Sequence, residues 1–360
     1  MSGTPPRMAE QLHHDAFLFD GHNDVALKVL RGVDIAHRRD DGHLDLPRMR
    51  EGGFDGGVFA VWIDPGLPEP FQRSFDGVQR LREYLEATPG FRPILAAADF
   101  DSARDRNEVA AVIGVEGGYG IEDDVEAVDR LADAGMRCLT LTWMRPTAWA
   151  DASGKHPLHD GLSEFGQRVV DRLRRLGVAI DVSHASDRVV EQILDRDDGP
   201  ITASHSGVRA VSDHHRNLPD QLLERLAETD SVIGINFFSA YLDAEFGREV
   251  ERLQKELGPY DPYNHDNLYD ALVRRVRAEL TPVPFERLID HLEHAIRVAG
   301  PRHVGLGSDF DGVVALPAGL DDARDLPRIT ESLARRGVAP DSLEAVLGAN
   351  FLRYFRAILS

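Results

Sequence analysis

Cysteine, lysine and long apolar runs are scarce in this 360-residue sequence. Cys138 is its single cysteine, which excludes an intrachain disulfide and fits a reducing compartment. Only Lys28, Lys155 and Lys255 among the 41 cationic side chains are lysines, a bias that we attribute to the composition of the source genome. No stretch approaches the roughly 20 consecutive apolar residues that a membrane-spanning helix needs.

Positive charge is also in short supply, because the formal net charge is −20 at pH 7. This balance argues against nucleic acid or an anionic membrane surface as a partner. The first 16 residues contain no apolar core of the kind found in signal peptides. We therefore expect a cytoplasmic protein that acts on a small molecule. Whether it forms a homodimer is left open by the sequence.

Short apolar runs alternate along the chain with longer segments of helical periodicity. The eight runs are residues 17–19, 58–63, 111–115, 138–143, 179–182, 201–203, 233–237 and 304–306. Strands that alternate with helices indicate a parallel sheet, and eight such units predict a closed (β/α)8 barrel of the TIM type. We expect residues 1–360 to form one such domain, with a helical and loop insertion at about 241–280 that serves as a loop or lid.

Side chains of metal-ligand type follow five of the eight predicted strands. A single histidine or carboxylate after a strand is usually a turn or capping residue, and we assign that role to Asp311. The carboxyl ends of barrel strands converge on one mouth, however, and there the chemistry of such barrels takes place. Five strand ends at once therefore predict a site, and its members are His22, Asp24, Glu116, His184, His205 and Asp309.

Imidazoles and carboxylates without a nearby thiolate are typical ligands of Zn²⁺ and similar divalent ions. The predicted set exceeds the three protein ligands of one catalytic zinc, so it favours two metals bridged by a carboxylate. None of the three lysines lies at a strand end, where a modified lysine could bridge. We therefore predict Glu116 as the bridge. His22 and Asp24, two residues apart on one side of an extended chain, are predicted to bind one metal together.

These residues lie in motifs that resemble the membrane (renal) dipeptidase family, which are binuclear zinc peptidases on a (β/α)8 barrel. The matching stretches follow one another in family order over nearly the whole chain. They include "DGHND" (20–24), "HLDLPRMREGG" (43–53), "VEGGYGI" (115–121), "IDVSHAS" (180–186), "ITASHSGVRAV" (201–211), "HRNLPD" (215–220) and "GLGSDFDG" (305–312).

The resemblance implies a role for each matching residue. His22 and Asp24 become ligands of one metal, His184 and His205 of the second, and Glu116 of both. Asp309 becomes the acid/base residue, while Arg216 and Asn217 contact the substrate. The implied reaction is cleavage of the amide bond of a dipeptide or small acyl-amino acid by a metal-bridging hydroxide, with two divalent ions, which we expect to be Zn²⁺, as cofactors.

Two positions depart from the family pattern. Trp143 stands where the family has a histidine that assists substrate binding, and Phe238 stands where it often has tyrosine. Trp143 either packs against the fourth strand or contributes its indole N–H, a donor only, to the substrate site. His156 or His159 in the following loop could also replace the missing imidazole.

Two other classes of function remain open on the sequence. A binuclear hydrolase or lyase for a non-peptide substrate, such as a lactone or cyclic amide, would use the same metal set. A non-catalytic metal-binding or scaffold protein would keep the barrel. Asp309 argues against the scaffold, because a scaffold has no use for a proton shuttle.

Overall fold

The computed structural model describes residues 6–259, 261 and 265–360. Its strands are β1 (Leu18–Asn23), β2 (Phe54–Trp62), β3 (Phe91–Pro93), β4 (Val109–Glu116), β5 (Cys138–Thr140), β6 (Ala179–Asp181), β7 (Thr202–Val208), β8 (Asn217–Leu218), β9 (Val232–Asn236) and β10 (Val304–Gly307). All of them except β3 and β8 close a parallel ring in the order β1-β2-β4-β5-β6-β7-β9-β10. The predicted (β/α)8 barrel is confirmed, and each predicted apolar run overlaps one strand of the ring.

Helices connect and flank these strands. They are α1 (Pro6–Asp15), α2 (Val25–Leu30), α3 (Leu46–Glu51), α4 (Pro70–Ala87), α5 (Ala98–Asp105), α6 (Ala127–Ala134), α7 (Glu164–Arg175), α8 (Asp187–Leu194), α9 (Asp220–Glu228), α10 (Ser239–Leu242), α11 (Ala244–Leu257), α12 (His265–Glu279), α13 (Glu286–Ala299), α14 (Pro327–Arg335), α15 (Pro340–Glu344) and α16 (Asn350–Ile358). Within the described ranges, no helix is both long enough and apolar enough to cross a bilayer.

The helix α7 illustrates how the sequence determines where a helix begins and which face it buries. Its cap Ser163 accepts a hydrogen bond from the Gly166 backbone N–H, which satisfies a donor that the first turn cannot pair internally. Val169, Val170 and Leu173 are buried at helical spacing, so one apolar face packs on the barrel. Such faces cover the strands from outside, which explains why every residue of β4 is buried.

The barrel interior is tight enough to require glycine where strands approach each other. A side-chain carbon at Gly307 of β10 would lie only 2.1 Å from the Ser204 carbonyl oxygen of β7. The absence of a side chain at Gly307 lets β7 approach the barrel axis. This close approach brings His205, the next residue of β7, into the centre of the mouth.

The region 241–280 contains two of the longer helices, α11 and α12, which pack on each other through the Arg275–Glu256 ion pair at 2.8 Å. The contacts of α12 with the rest of the barrel include a hydrogen bond from the Tyr269 hydroxyl to the Val313 carbonyl at 2.8 Å and an ion pair between Asp266 and Arg31 at 2.6 Å. Within the predicted insertion, residues 260 and 262–264 lie outside the described residues. These helices form one side of the barrel mouth.

Candidate metal centre

The barrel brings together all six residues predicted to carry the chemistry. His22 is the penultimate residue of β1, Glu116 is the last residue of β4, and His205 lies within β7. Asp24 follows β1 directly, Asp309 lies two residues after β10, and His184 lies three residues after β6. All but Asp309 are buried. We call His22, Asp24, Glu116, His184, His205 and Asp309 the floor, because they lie at the base of a cavity of about 530 Å³.

Glu116 lies at the centre of the floor, and its two oxygens face different neighbours. Oε1 is 3.0 Å from Nε2 of His184 and 3.3 Å from Nε2 of His205. Oε2 is 3.6 Å from Nε2 of His22, which in turn lies 3.8 Å from Asp24 Oδ2. A carboxylate that presents one oxygen to each of two donor groups has the arrangement of a bridging ligand.

The donors fit two divalent cations. Ligand atoms of His22, Asp24 and Asp309 lie within 4.8 Å of one another, and so do those of Glu116, His184 and His205. In the described part of the chain, the buried His22 Nε2 and His184 Nδ1 have no hydrogen-bond partner, so these nitrogens are available to another group. The set contains nitrogen and oxygen donors only, which suits zinc and related ions.

Gly312 keeps space open beside two of these carboxylates. A side-chain carbon at this position would lie 2.0 Å from Asp24 Oδ2 and 2.8 Å from Asp309 Oδ1. Any other residue would therefore push into the space between the carboxylates. The glycine preserves a cradle that a cation can enter.

Burial and mutual charge shift the pKa values of the floor in opposite directions. Burial lowers the pKa of His184 to about 4, and the charge of Arg216 acts in the same direction. Burial also acts to lower the pKa of His22, but the charges of Glu116 and Asp24 outweigh it and raise that pKa to about 10. Burial and the charge of Glu116 raise the pKa of Asp24. These groups share protons that a bound cation would displace.

A hydrogen-bond chain under the floor fixes the orientation of His205. Asp181 accepts hydrogen bonds from the Ser204 hydroxyl and the Thr140 hydroxyl, both at 2.6 Å, and from the backbone N–H groups of Ser183 and Ser204, both at 2.9 Å. Because the Ser204 hydroxyl donates to Asp181, its oxygen accepts from His205 Nδ1 at 2.8 Å. Nε2 of His205 is then the unprotonated nitrogen, the form that binds a metal.

Asp181 and Ser204 were not among the predicted site residues. Asp181 lies near two of the donor histidines, but four hydrogen bonds already occupy its oxygens. It is a positioning residue for the ligand above it. The sequence does contain a pattern that could have pointed to them, because a serine precedes each ligand histidine in "IDVSHAS" and "ITASHSG". The hydrogen-bond partner of each serine, however, depends on the register between strands.

Asp309 occupies a strained turn after β10. Its backbone has φ of 59°, in the left-handed region that few residues other than glycine adopt. The Asn236 amide donates to Asp309 Oδ2 at 2.9 Å, and Asp309 lines the cavity. Asp311, two residues on, accepts hydrogen bonds from the backbone N–H groups of His43 and Leu44 and pairs with the buried Arg39 at 3.3 Å. These contacts are with a distant segment rather than with its own turn, so Asp311 anchors residues 39–44 instead of taking the turn-capping role predicted for it.

Of the three predicted substrate-binding residues, Arg216, Trp143 and Asn217, the two adjacent ones, Arg216 and Asn217, lie in different environments. Arg216 is buried beside the floor, where its Nη2 donates to the His205 carbonyl at 3.0 Å and its guanidinium lies 5.1 Å from the Tyr241 ring centre. Asn217 is fully buried, and its amide donates to the carbonyls of Ser212 and Tyr241, both at 2.8 Å. Arg216 is close to the reacting region, whereas Asn217 braces the wall behind it.

The aromatic residues that depart from the family pattern line the cavity. The Trp143 ring lies 6.3 Å from the ring of His184 and 4.9 Å, edge to face, from that of Trp62. Phe238 lines the cavity as well. Trp143 therefore faces the floor rather than the outside of the barrel.

The loop histidines His156 and His159 are not among the residues that line this cavity. Two histidines that the sequence did not single out, His214 and His215, do line it. Their rings stack with centres 4.5 Å apart, and His215 Nδ1 is within 3.0 Å of the Ser153 hydroxyl. They precede Arg216 directly, so the segment that positions Arg216 also supplies imidazoles to the wall.

A (β/α)8 barrel that gathers imidazoles and carboxylates at its strand ends defines the class of metal-dependent hydrolases. The model of the membrane dipeptidase family, peptidase family M19, matches residues 7–359. The chain belongs to this family, as its motifs predicted.

Individual relatives agree with this assignment. Dipeptidase 3 of Rattus norvegicus is 28% identical over 372 residues, which cover 99% of this chain and 68% of the relative. The probable dipeptidase PvdM from Pseudomonas aeruginosa is 25% identical, with 98% of each chain covered and a TM-score of 0.82. A metallopeptidase from Rhodobacter sphaeroides, solved with a phosphinate mimic of the dipeptide L-Ala-D-Ala, is 26% identical over 94% of this chain and 98% of that one, with a TM-score of 0.79.

Proposed function

We propose that this protein is a zinc-dependent dipeptidase that hydrolyses the amide bond of a dipeptide or small acyl-amino acid. The observation that carries the proposal is Glu116, whose two oxygens face two separate donor groups, with Asp309 beside one of them. The similarity to a metallopeptidase solved with a dipeptide mimic supports this choice of substrate.

The floor residues divide into two ligand groups joined by Glu116. His22 and Asp24 would hold one cation, and His184 and His205 the other. Bound divalent cations lower the pKa of water and offset the negative charge that develops on an attacked carbonyl oxygen. Two cations would also offset the negative charge of the three floor carboxylates, Asp24, Glu116 and Asp309.

Asp309 is the group that moves the proton. Its Oδ2 is held by the Asn236 amide at 2.9 Å, which leaves Oδ1 to accept a proton from water and to deliver it to the leaving amine. The left-handed backbone at this residue directs the carboxylate toward the cavity that it lines.

Arg216 is the cation that receives the anionic end of the substrate. A guanidinium can bind a carboxylate through two parallel hydrogen bonds, and in the described structure Nε of Arg216 has no hydrogen-bond partner. The substrate carboxylate would therefore complete the hydrogen bonding of a buried cation. A lysine at this position would keep the charge but lose the two-point contact.

The proposal is tested with zinc-loaded protein on a panel of dipeptides, with and without a chelator. We expect hydrolysis that the chelator abolishes and that falls when the substrate carboxylate is amidated. Lactones and cyclic amides are assayed in parallel as alternative substrates. Faster turnover of a lactone or cyclic amide than of any dipeptide would contradict the proposal in favour of the non-peptide hydrolase.

A further inference from the structure

One face of α2 forms a wall of the cavity and carries a cation. Asp24, Leu27, Lys28 and Arg31 line the cavity at the spacing i, i+3, i+4 and i+7, which places them on one side of a helix. Lys28 is four residues beyond the floor residue Asp24, a rise of about 6 Å along the helix. Lys28 therefore belongs to the cavity wall, one helical turn along α2 from Asp24.

Unlike Arg31, which also lines the cavity, Lys28 has no ionic partner among the described residues. Within the described ranges, no carboxylate lies within 4.0 Å of its Nζ, the distance that defines an ion pair. This holds for Asp270 as well, although Asp270 also lines the cavity. Other charged groups of the mouth are paired, in Arg31–Asp266 at 2.6 Å, Arg39–Asp41 at 3.4 Å and Lys255–Glu251 at 3.6 Å. A half-buried cation without a partner, in a protein with net charge −20, is available to an anionic ligand.

The strand order sets Lys28 far from Arg216 around the barrel. Lys28 follows β1, whereas Arg216 follows β7, three positions away in the ring of eight strands. A substrate whose carboxylate binds Arg216 and whose amide lies over the floor therefore extends its acyl part toward α2. In this arrangement the two cations would lie on different sides of the scissile bond.

We propose that Lys28 recognises a second anionic group on the acyl side of the substrate. The preferred substrates are then dipeptides or acyl-amino acids whose amino-terminal residue or acyl group carries a carboxylate, as glutamyl and aspartyl residues do. An ammonium–carboxylate hydrogen bond is charge-assisted, and the apolar neighbour Leu27 reduces its screening by water. This inference rests on the proposed dipeptidase function.

The test compares matched substrates that differ in one charge. Glutamyl-alanine and glutaminyl-alanine have nearly the same shape, so their ratio of kcat/KM isolates the contribution of the carboxylate. We expect zinc-loaded wild-type protein to favour the glutamyl substrate by about 10- to 100-fold. Lys28→Met should bring the ratio close to one through loss of the glutamyl rate alone, with zinc content and Tm unchanged. Lys28→Glu should shift the preference toward lysyl-alanine.

Lys155→Met is the matched control, because Lys155 lies on an exposed loop that borders a different depression of the surface. It should keep the wild-type ratio. A wild-type ratio near one, or an unchanged ratio in Lys28→Met, overturns the role of Lys28 while dipeptidase activity stands. If the protein hydrolyses neither substrate nor any other dipeptide, the proposed function fails and this inference fails with it.

Discussion

The floor and the mouth of the cavity are built in different ways. Five of the six floor residues are buried, with at most 5% of their surface exposed, and each is fixed by the end of a barrel strand. The mouth consists mainly of side chains from α2, from the loop after β5, from the residues that follow β9, and from the helices α11 and α12. Its members Lys28, Trp143 and Phe238 are held by helix and loop packing rather than by strand pairing. We infer that the strands determine which reaction occurs, whereas the helices and loops determine which substrate undergoes it.

The floor is also supported by a layer of hydrogen bonds beneath it. Asp181 orients His205 through Ser204, and Asp20 accepts two hydrogen bonds from Ser308 at 2.7 Å, which ties β1 to β10 beside Asp309. Burial raises the pKa of Asp20 to about 6. Changes in the floor should therefore affect metal binding and rate, whereas changes in the mouth should affect selectivity with the metals in place.

The largest effect is expected at the centre of the floor. Glu116→Ala removes the carboxylate that faces both donor groups, so both metals should be lost on dialysis and activity should fall by at least about 10³-fold. Elemental analysis of the dialysed protein checks this outcome. His205→Ala is the comparison, because it should weaken mainly one metal. A Glu116→Ala protein that retains both ions would show that another group bridges them.

Asp309→Asn should lower the catalytic rate without loss of the bound metals. The amide keeps the shape and can still bond to Asn236, but it cannot accept a proton, so kcat should fall by roughly 10²-fold or more. Zinc content should remain that of the wild type. Undiminished turnover would assign the proton transfer to a different residue.

A change in the supporting layer should reduce zinc affinity less than the loss of a metal ligand does. Asp181→Asn replaces the acceptor of the Ser204 hydroxyl by a group that can donate, so His205 should lose its fixed orientation. Zinc affinity should then fall by about 10- to 100-fold, measured by competition with a chelator of known affinity. The control is Asp55→Asn, because Asp55 accepts a hydrogen bond from the Leu18 backbone N–H at the opposite end of β1. Equal losses of zinc affinity in both variants would mean that general destabilisation is responsible.

The smallest effect is expected in the mouth, at Trp143. Trp143→His replaces an indole near His184 by a smaller imidazole, so small dipeptides should gain about 10-fold in kcat/KM relative to the best substrate of the wild type. Parallel assays of both substrates measure the change, with zinc content as the control. Unchanged rates together with a lower Tm would show that the indole only packs against the barrel.

The difference between floor and mouth also explains what the sequence could predict. Each strand contains a local apolar run, so the ligand that follows the run, such as Glu116 or His205, could be found without knowledge of the rest of the fold. The mouth depends on contacts between distant segments, as in the Arg31–Asp266 pair, and no local pattern specifies them. Asp181 escaped prediction for a related reason, because its partner Ser204 comes from the neighbouring strand.

Diffraction from crystals of the zinc-loaded protein, recorded at the zinc absorption edge, tests the central claim most directly. The anomalous signal locates each ion independently of the protein atoms. We predict two peaks about 3.5–4 Å apart on either side of Glu116, one beside His22 and Asp24 and the other beside His184 and His205. A single peak, or a second peak away from Glu116, would contradict the binuclear site on which the account depends.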